Sequence, residues 1–343
     1  MKEVKNYSLL EHNTFGFDAK CSCFYEYENE LELWEIRRLL ENSSVDFLHI
    51  GGGSNLLFVG DFRGAVLHSA IKGKEVIAQN QEQVVLRVGA GEVWDEFVGW
   101  CVDNGYYGLE NLSYIPGEVG AAAVQNIGAY GNEICDYLES VEAFDMDNGQ
   151  IVQFSKAECD YAYRHSFFKT REAHRYIIMH VHFCLTNCFQ PNLNYAALAN
   201  EICKRGWRAS DLTPKALRNL IIDIRREKLP DPEKIGNAGS FFMNPVVPIE
   251  KLDEIRREYQ RVPAYPVDGG GYKIPAAWLI EQCGWKGKKC GTVGVYDKQA
   301  LVLVHFGGGS GLDICNLSDA IRRSVKEKFG IEITPEVNFI RQS

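Results

Sequence analysis

Several absences narrow the possibilities at once. No apolar run approaches the ~20 residues that a membrane-spanning helix needs; the longest, such as Ala300 to Val304, fall far short. The opening stretch MKEVKNYSLLEHNTFGF holds no apolar core of an export signal, so a cytoplasmic protein without membrane insertion is expected. Positive charge is in deficit, with 37 Lys and Arg against 46 Asp and Glu, a net charge of -9. The chain therefore lacks the basic field that supplies most non-specific affinity for nucleic acid, and any anionic ligand must be held by local groups. Metal hooks are missing too. The eleven cysteines are odd in number, their close pairs are Cys21/Cys23 and Cys184/Cys188, and His180 and His182 alternate with Met179, Val181 and Phe183 as in a strand. Buried structural thiols are expected rather than a metal site or a disulfide framework. Neither standard phosphate loop is present: GxxxxGK[ST] has no match, and Gly89-Ala90-Gly91 lacks the third glycine of the dinucleotide fingerprint, which removes the Rossmann reading.

What is present begins with length. At 343 residues the chain is too long for one core, so two or three domains are expected. Hydrophobic residues at 45% and charged residues at 24% are ordinary for a folded soluble chain, as is a mean hydropathy of -0.22. Glycine is in excess, 32 of 343 against an average near ~7%, and it is bunched. Leu31, Trp34, Leu39 and Leu40 fall at helical spacing over 29–42, and VDFLHI at 45–50 then reads as a strand running into Gly51-Gly52-Gly53-Ser54-Asn55. A strand over 84–88 runs through Gly89 to Gly91 into a helix with Trp94, Phe97, Val98, Cys101 and Val102 inward, closed by Gly105. Residues 113–131 are almost all small. Asp147-Asn148-Gly149 marks a hairpin over 140–154, and a strand follows at 176–185. Thr213-Pro214 starts a helix with Leu217, Leu220, Ile221 and Ile224 inward, ended by LPDP at 229–232. Beyond it the pattern predicts helices near 249–259 and 275–283, a Pro/Gly-rich loop over 263–271 and a strand at 300–306. A final helix carries Leu317, Ala320, Ile321 and Val325 inward and stops at Gly330. Gly307 to Gly311 reads as a mobile surface loop, and the run Arg225-Arg226 as a solvated helix face.

Taken one at a time, the glycine clusters are weak signals, since backbone nests for anions and plain turns look alike in sequence. Their order is more telling. HIGGGSNLLF at 49–58, GLENLSYIPGEVGAAAVQNIGAYG at 108–131, YRHSFFK at 163–169, KLPDP at 228–232, GNAGSFFMNP at 236–245 and TPEVNFI at 334–340 resemble, in sequence and order, the UDP-N-acetylenolpyruvoylglucosamine reductase family. The resemblance runs from Asn13-Thr14-Phe15-Gly16 to the last strand, and the segment Gln190 to Leu193 with Tyr195 resembles the family's longer form, which carries a tyrosine-bearing loop.

The resemblance implies an α+β fold: a two-part FAD-binding module of the vanillyl-alcohol-oxidase (PCMH) type plus a C-terminal α+β substrate-binding domain. The expected parts are residues 1–72 with 330–343, then 73–213, both holding FAD, and 228–329 holding a UDP-sugar. It implies noncovalent FAD on Gly51, Gly53, Ser54, Asn55, Gly117, Gly120, Ala121, Gln125, Asn126 and Gly128, and NADPH as hydride donor. The implied reaction reduces the enolpyruvyl group of UDP-N-acetylenolpyruvoylglucosamine during cytoplasmic peptidoglycan precursor synthesis, by a monomer. Arg164 matches the arginine that clamps the enolpyruvyl carboxylate, Ser240 the serine that protonates the substrate carbon, and Glu336 the carboxylate that assists it. Tyr195, Lys228, Asn244 and Lys286 match positions that anchor the substrate. Such chemistry needs a hydride at the terminal carbon, a cation for the developing enolate and an acid for the other carbon. Outside that context Arg164 reads as a salt-bridge arginine, Ser240 as a turn or cap serine and Glu336 as a solvated side chain. A flavin oxidase of the same superfamily and a non-enzymatic nucleotide-sugar-binding protein are the alternatives.

Overall fold

The computed structural model describes residues 1–41, 45–267 and 269–341. The chain forms two compact units: Met1–Tyr7, Cys21–Gly52 and Arg63–Glu227 make the first, and Ser8–Lys20, Gly53–Phe62 and Lys228–Ser343 the second. The chain thus passes from one unit to the other inside the first glycine cluster, between Gly52 and Gly53.

Two larger sheets build the first unit, beside a short pairing of Gly128–Ala129 with Asn132–Glu133. In one, the strands Lys2–Ser8, Lys20–Tyr27, Phe62–Ser69 and Phe47–Ile50 lie side by side in that order, and Phe47–Ile50 runs parallel to its neighbour with Ile50 opposite His68. The helix Glu30–Glu41 buries Leu33 and Ile36 against Tyr25, Tyr27, Leu67 and Phe144; residue 42 of the expected helix lies outside the described residues. Its inward face differs from the expected one, because Leu31 is 75% exposed and Leu39 45%. The helix has apolar residues on more of its circumference than one stripe can bury. Leu33 and Ile36, three apart, take the centre, with Trp34 and Leu40 packed at its margin.

The other sheet is antiparallel and orders Ile151–Ser155, Leu138–Asp145, Tyr176–Thr186, Gln83–Gly89 and Lys74–Gln79. The hairpin forms where its turn chemistry predicts, with Phe144 opposite Ile151. Val84, Leu86 and Val88 alternate inward and meet Trp94, Phe97, Val98 and Cys101 of the helix Trp94–Asn104, which Gly105 ends at φ 80°. Each such side chain contributes about 1.5–3 kcal/mol when fully buried. The helix Pro214–Lys228 buries the four predicted residues against Leu198 and Ile202 of Ala196–Lys204, and the Thr213 hydroxyl accepts the Ala216 N–H at 3.1 Å as its cap.

The second unit centres on an antiparallel sheet ordered Gly236–Ser240, Val302–His305, Val293–Val295 and Lys289–Cys290. The expected loop over 263–271, of which residue 268 lies outside the described residues, instead contributes Tyr265–Pro266 to a small sheet with Tyr272–Lys273 and Val246–Val247. Helices Ile249–Glu258, Ala276–Gln282 and Gly311–Phe329 cover the core formed with Phe15, Phe17, Phe241 and Leu303. The terminal strand Asn338–Ile340 pairs in parallel with Leu56–Phe58. Gly307 to Gly311 is not a simple surface loop. Gly309 donates its N–H to His305 Nε2 at 3.1 Å. Gly311 begins the long helix, and a Cβ there would stand 1.9 Å from the Phe58 carbonyl oxygen. Only glycine lets the helix start so close to that strand. All eleven cysteines are free thiols, and no helix among the described residues is long and apolar enough to cross a membrane.

Candidate active site

In the first unit the small-residue segment folds as a short helix, Val119–Gln125, ended by the buried Asn126 in the left-handed region at φ 43°. The Asn126 side chain is fully engaged by the protein. Its amide donates to Ala162 O and Glu133 Oε2, both at 2.9 Å, and its oxygen accepts the Cys135 N–H at 3.3 Å. The residue expected at the flavin is therefore also the joint of this region. Its main-chain oxygen accepts from Arg164 Nη1 at 3.2 Å, and Gly128 O accepts from Nη2 at 2.9 Å. Arg164 itself has φ 55° in a tight turn closed by paired backbone bonds between Ala162 and His165, 3.1 and 2.9 Å. A non-glycine residue there is strained by roughly 1 kcal/mol or more. Lys169 Nζ fastens the turn by donating to Arg164 O and to Gln125 Oε1, at 3.0 and 3.1 Å. His165, next in sequence, points instead to the exposed Asp160, 3.8 Å away.

The two glycine segments meet in the same unit. A Cβ on Gly51 would lie 3.0 Å from the Ala121 Cβ and 3.1 Å from Glu118 Oε2, and one on Gly52 would lie 3.6 Å from the Gly117 Cα. Backbone bonds brace this cradle from below, Trp94 N to Gly117 O at 3.0 Å and Gly120 N to Ala90 O at 2.9 Å. Sequence reasoning missed the side chain that supports it, His68, which bridges Glu26 at 3.0 Å and Glu118 at 2.9 Å. These three are far apart in the chain, and no local pattern joins them.

In the second unit, Gly53 has φ 66°, and a Cβ on it would fall 1.9 Å from the His12 carbonyl oxygen. Thr14 donates its N–H to Gly53 O at 3.2 Å, and its buried hydroxyl has no partner among the described residues. Close by in the sheet, Gly239 at φ 66° introduces one extra residue: Asn237 lies opposite Val304, but Ser240 lies opposite Val302. Such a bulge re-aims the side chain that follows it. Asn237 Oδ1 fixes the kink by accepting the Gly239 N–H at 3.0 Å, and the result is an exposed Ser240 at the end of a buried strand. Glu336 runs alongside, since its N–H donates to Phe241 O at 2.8 Å and Pro335 bridges to Phe242. Asn55 Nδ2 donates to the Glu336 carbonyl at 3.3 Å. The fold thus brings Ser240, Glu336 and Asn55 together, anchored by the buried Phe241 and Phe242.

The expected substrate residues are placed less uniformly. Tyr195 is 48% exposed and sets its ring edge-on to Tyr130, 5.5 Å between centroids. Lys228 is exposed at the end of its helix. Asn244 Oδ1 accepts the Ala276 N–H at 2.9 Å, which caps a helix, and Lys286 pairs with Glu281 at 3.0 Å. Arg225 departs from the expected solvated face: its Nε donates to Tyr114 O at 3.0 Å, and Arg226 stacks 5.0 Å from the Tyr114 ring centre. Loss of water around Arg225 pulls its affinity for a proton down, with Tyr130 acting in the opposite direction.

A flavin dinucleotide needs backbone that can come close to its diphosphate, with hydrogen-bonding groups left for it. In the first unit, the bare backbone of Gly51 and Gly52 packed against the Gly117 to Ala121 segment meets that requirement. Comparison with known proteins agrees. Residues 21–155 match the family model described as an FAD binding domain, and residues 231–340 the one described as UDP-N-acetylenolpyruvoylglucosamine reductase, C-terminal domain. The chain is 50% identical over 338 residues to the UDP-N-acetylenolpyruvoylglucosamine reductase of Bacteroides fragilis (strain YCH46), covering 98% of this chain and 99% of that one. It is 45% identical over 341 residues to that of Porphyromonas gingivalis (strain ATCC 33277), covering 98% of each. The crystal structure of UDP-N-acetylenolpyruvylglucosamine reductase from Thermus caldophilus matches with a TM-score of 0.67 over 99% of this chain and 98% of that one, at 20% identity, a likeness of fold. The architecture is accordingly α+β, a two-part FAD-binding module with a C-terminal α+β domain, and its cofactor is FAD. Sharing half its residues with such a relative along nearly the whole of both chains, the protein belongs to the UDP-N-acetylenolpyruvoylglucosamine reductase family.

Proposed function

We propose that the protein uses NADPH to reduce the enolpyruvyl group of UDP-N-acetylenolpyruvoylglucosamine to UDP-N-acetylmuramate, in cytoplasmic peptidoglycan precursor synthesis. The observation that carries this reading is the 50% identity to the Bacteroides fragilis reductase over 98% of the chain. FAD held at the Gly51 and Gly117 segments would take a hydride from NADPH, keep its two electrons while NADP+ leaves and the sugar nucleotide enters, and then supply the hydride to the enolpyruvyl group. The protein's own groups do the rest. Arg164, whose guanidinium is oriented by two main-chain oxygens, forks onto the enolpyruvyl carboxylate. As hydride joins the terminal carbon, the double-bond electrons move toward that carboxylate, and a cation already in position stabilises them without reorganising.

Ser240 gives its hydroxyl proton to the adjacent carbon, and solvent returns a proton to its oxygen. A serine is a weak acid, so the transfer relies on a strongly basic acceptor and on Glu336, which assists it and polarises the enolate. Tyr195, Lys228, Asn244 and Lys286 anchor the nucleotide, Lys286 exchanging Glu281 for phosphate, and Tyr195 carries the loop of the longer form. In this reading residues 1–72 with 330–343, and 73–213, serve FAD; residues 228–329 serve the UDP-sugar; and the protein works as a monomer. The test is spectroscopic. Purified protein should show flavin bands near about 370 and 450 nm, NADPH should bleach them without air, and the enolpyruvyl sugar nucleotide should restore them. Absence of the bands overturns the enzyme reading. Reoxidation by oxygen as fast as by the sugar nucleotide overturns it in favour of an oxidase.

A further inference from the structure

The Gly51–Gly117 cradle contains a charge of the wrong sign. Glu118 Oε2 lies 3.1 Å from the place a Gly51 Cβ would take, beside backbone suited to a diphosphate, and carboxylate and diphosphate repel each other where water is scarce. The structure supplies a counter-charge. His68 Nε2 is 2.9 Å from Glu118 Oε1, and His68 Nδ1 is 3.0 Å from Glu26 Oε2. A neutral imidazole carries one N–H and can satisfy one of those carboxylates, whereas the imidazolium satisfies both. Of the surrounding groups, Lys2 Nζ stands 3.8 Å from Glu26 and competes with His68 for that carboxylate, while the Phe24 ring stacks near His68 at 6.2 Å. His49, from the next strand, is held neutral at about 3 by desolvation and by His68, and meets the Tyr27 hydroxyl at 2.9 Å. Burial pushes the His68 pKa down, but the hydrogen bonds and charges of Glu118 and Glu26 outweigh it and leave the pKa above its ordinary value.

We propose that His68 is a positioning residue for the flavin: as an imidazolium it neutralises and fixes Glu118, so that FAD binds to the protonated form of the Glu26–His68–Glu118 bridge. This rests on FAD occupying the cradle. A dianionic ligand favours the form with one more positive charge. Affinity is therefore full at low pH and falls as pH rises through the His68 titration, tenfold for each unit by which FAD raises that titration.

The measurement is the dissociation constant of FAD from apoprotein, by quenching of flavin fluorescence, at about pH 6 and pH 9. Wild type should bind roughly tenfold more weakly at the higher pH. Glu118→Gln should bind equally at both, and at pH 9 at least as tightly as wild type. His68→Gln should bind weakly at both; if it does not fold, Glu118→Gln alone decides. A flat wild-type profile, or the wild-type slope persisting in Glu118→Gln, overturns the proposal. Failure of wild type to bind FAD at either pH strikes instead at the flavin assignment.

Discussion

Arg164 and Ser240 are mounted in opposite ways. The arginine is gripped through its side chain: two main-chain oxygens orient its guanidinium, Lys169 ties down its turn, and its backbone is strained into the left-handed region. The serine is placed through its backbone alone. The Gly239 bulge and the bond from Glu336 N to Phe241 O fix where residue 240 is, while its hydroxyl stays exposed. The contrast suits the proposed roles: a cation that meets growing charge benefits from being held in advance, and a hydroxyl that gives up a proton and recovers one benefits from access to solvent.

Substitutions can break or sharpen this contrast. The largest effect is expected from Ser240→Ala: bleaching by NADPH should be unchanged in stopped-flow, while reoxidation by the sugar nucleotide slows about 10³-fold. Equal loss of both half-reactions would make Ser240 structural and erase the difference. Arg164→Lys keeps the charge but not the fork, and should slow reoxidation by about 10–100-fold while leaving reduction near wild type. On stability, Asn126→Ala removes three hydrogen bonds and leaves buried partners unmet, and should lower unfolding free energy by about 2–3 kcal/mol in denaturant titrations. Its counterpart near the serine, Asn55→Ala, loses one 3.3 Å bond and should lower it by less than about 1 kcal/mol. Comparable losses would mean that both mounts are equally rigid.

A further effect, on pH dependence, belongs to the first unit's sheet. A hydrogen bond from His180, joined by Arg87, holds the Glu142 carboxyl down at about 2 against burial. Its contribution is present above the ordinary carboxylate range and disappears as pH falls through about 2. Wild type should therefore lose about 1 kcal/mol over that acid range that Glu142→Gln does not.

Much of the fold was legible because its determinants are local. Asp147-Asn148-Gly149 names its own turn, Gly105 ends its helix, and Leu217, Leu220, Ile221 and Ile224 repeat at the spacing they bury. Face selection was less so, since the apolar residues of Glu30–Glu41 fit more than one stripe and the sheet beneath chose Leu33 and Ile36. Least legible were contacts between distant segments: Gly311 on Phe58, Arg225 on Tyr114, His68 on Glu118. The family motifs drew attention to Arg164, Ser240 and Glu336. The residues that orient Arg164 and Ser240, among them Asn126, Gly128, Lys169, Asn237 and Gly239, lie within those motifs, but which of their groups meet was not legible, because hydrogen bonds to main-chain oxygens leave no mark on residue choice.

The parallel pairing of Leu56–Phe58 with Asn338–Ile340 also sets an order of events on the ribosome. Phe15, Phe17 and Leu57 emerge early, yet the partners that bury them, among them Phe241, Leu303, Ile314 and Val337, come much later. At roughly 5–20 residues per second, a nascent chain waits about 15–60 seconds between making residue 58 and residue 338. Within that interval the first unit can close once residue 227 has been made, while an aromatic segment destined for the second stays uncovered. Any dependence on chaperones during synthesis should therefore trace to the early segment awaiting its late partners.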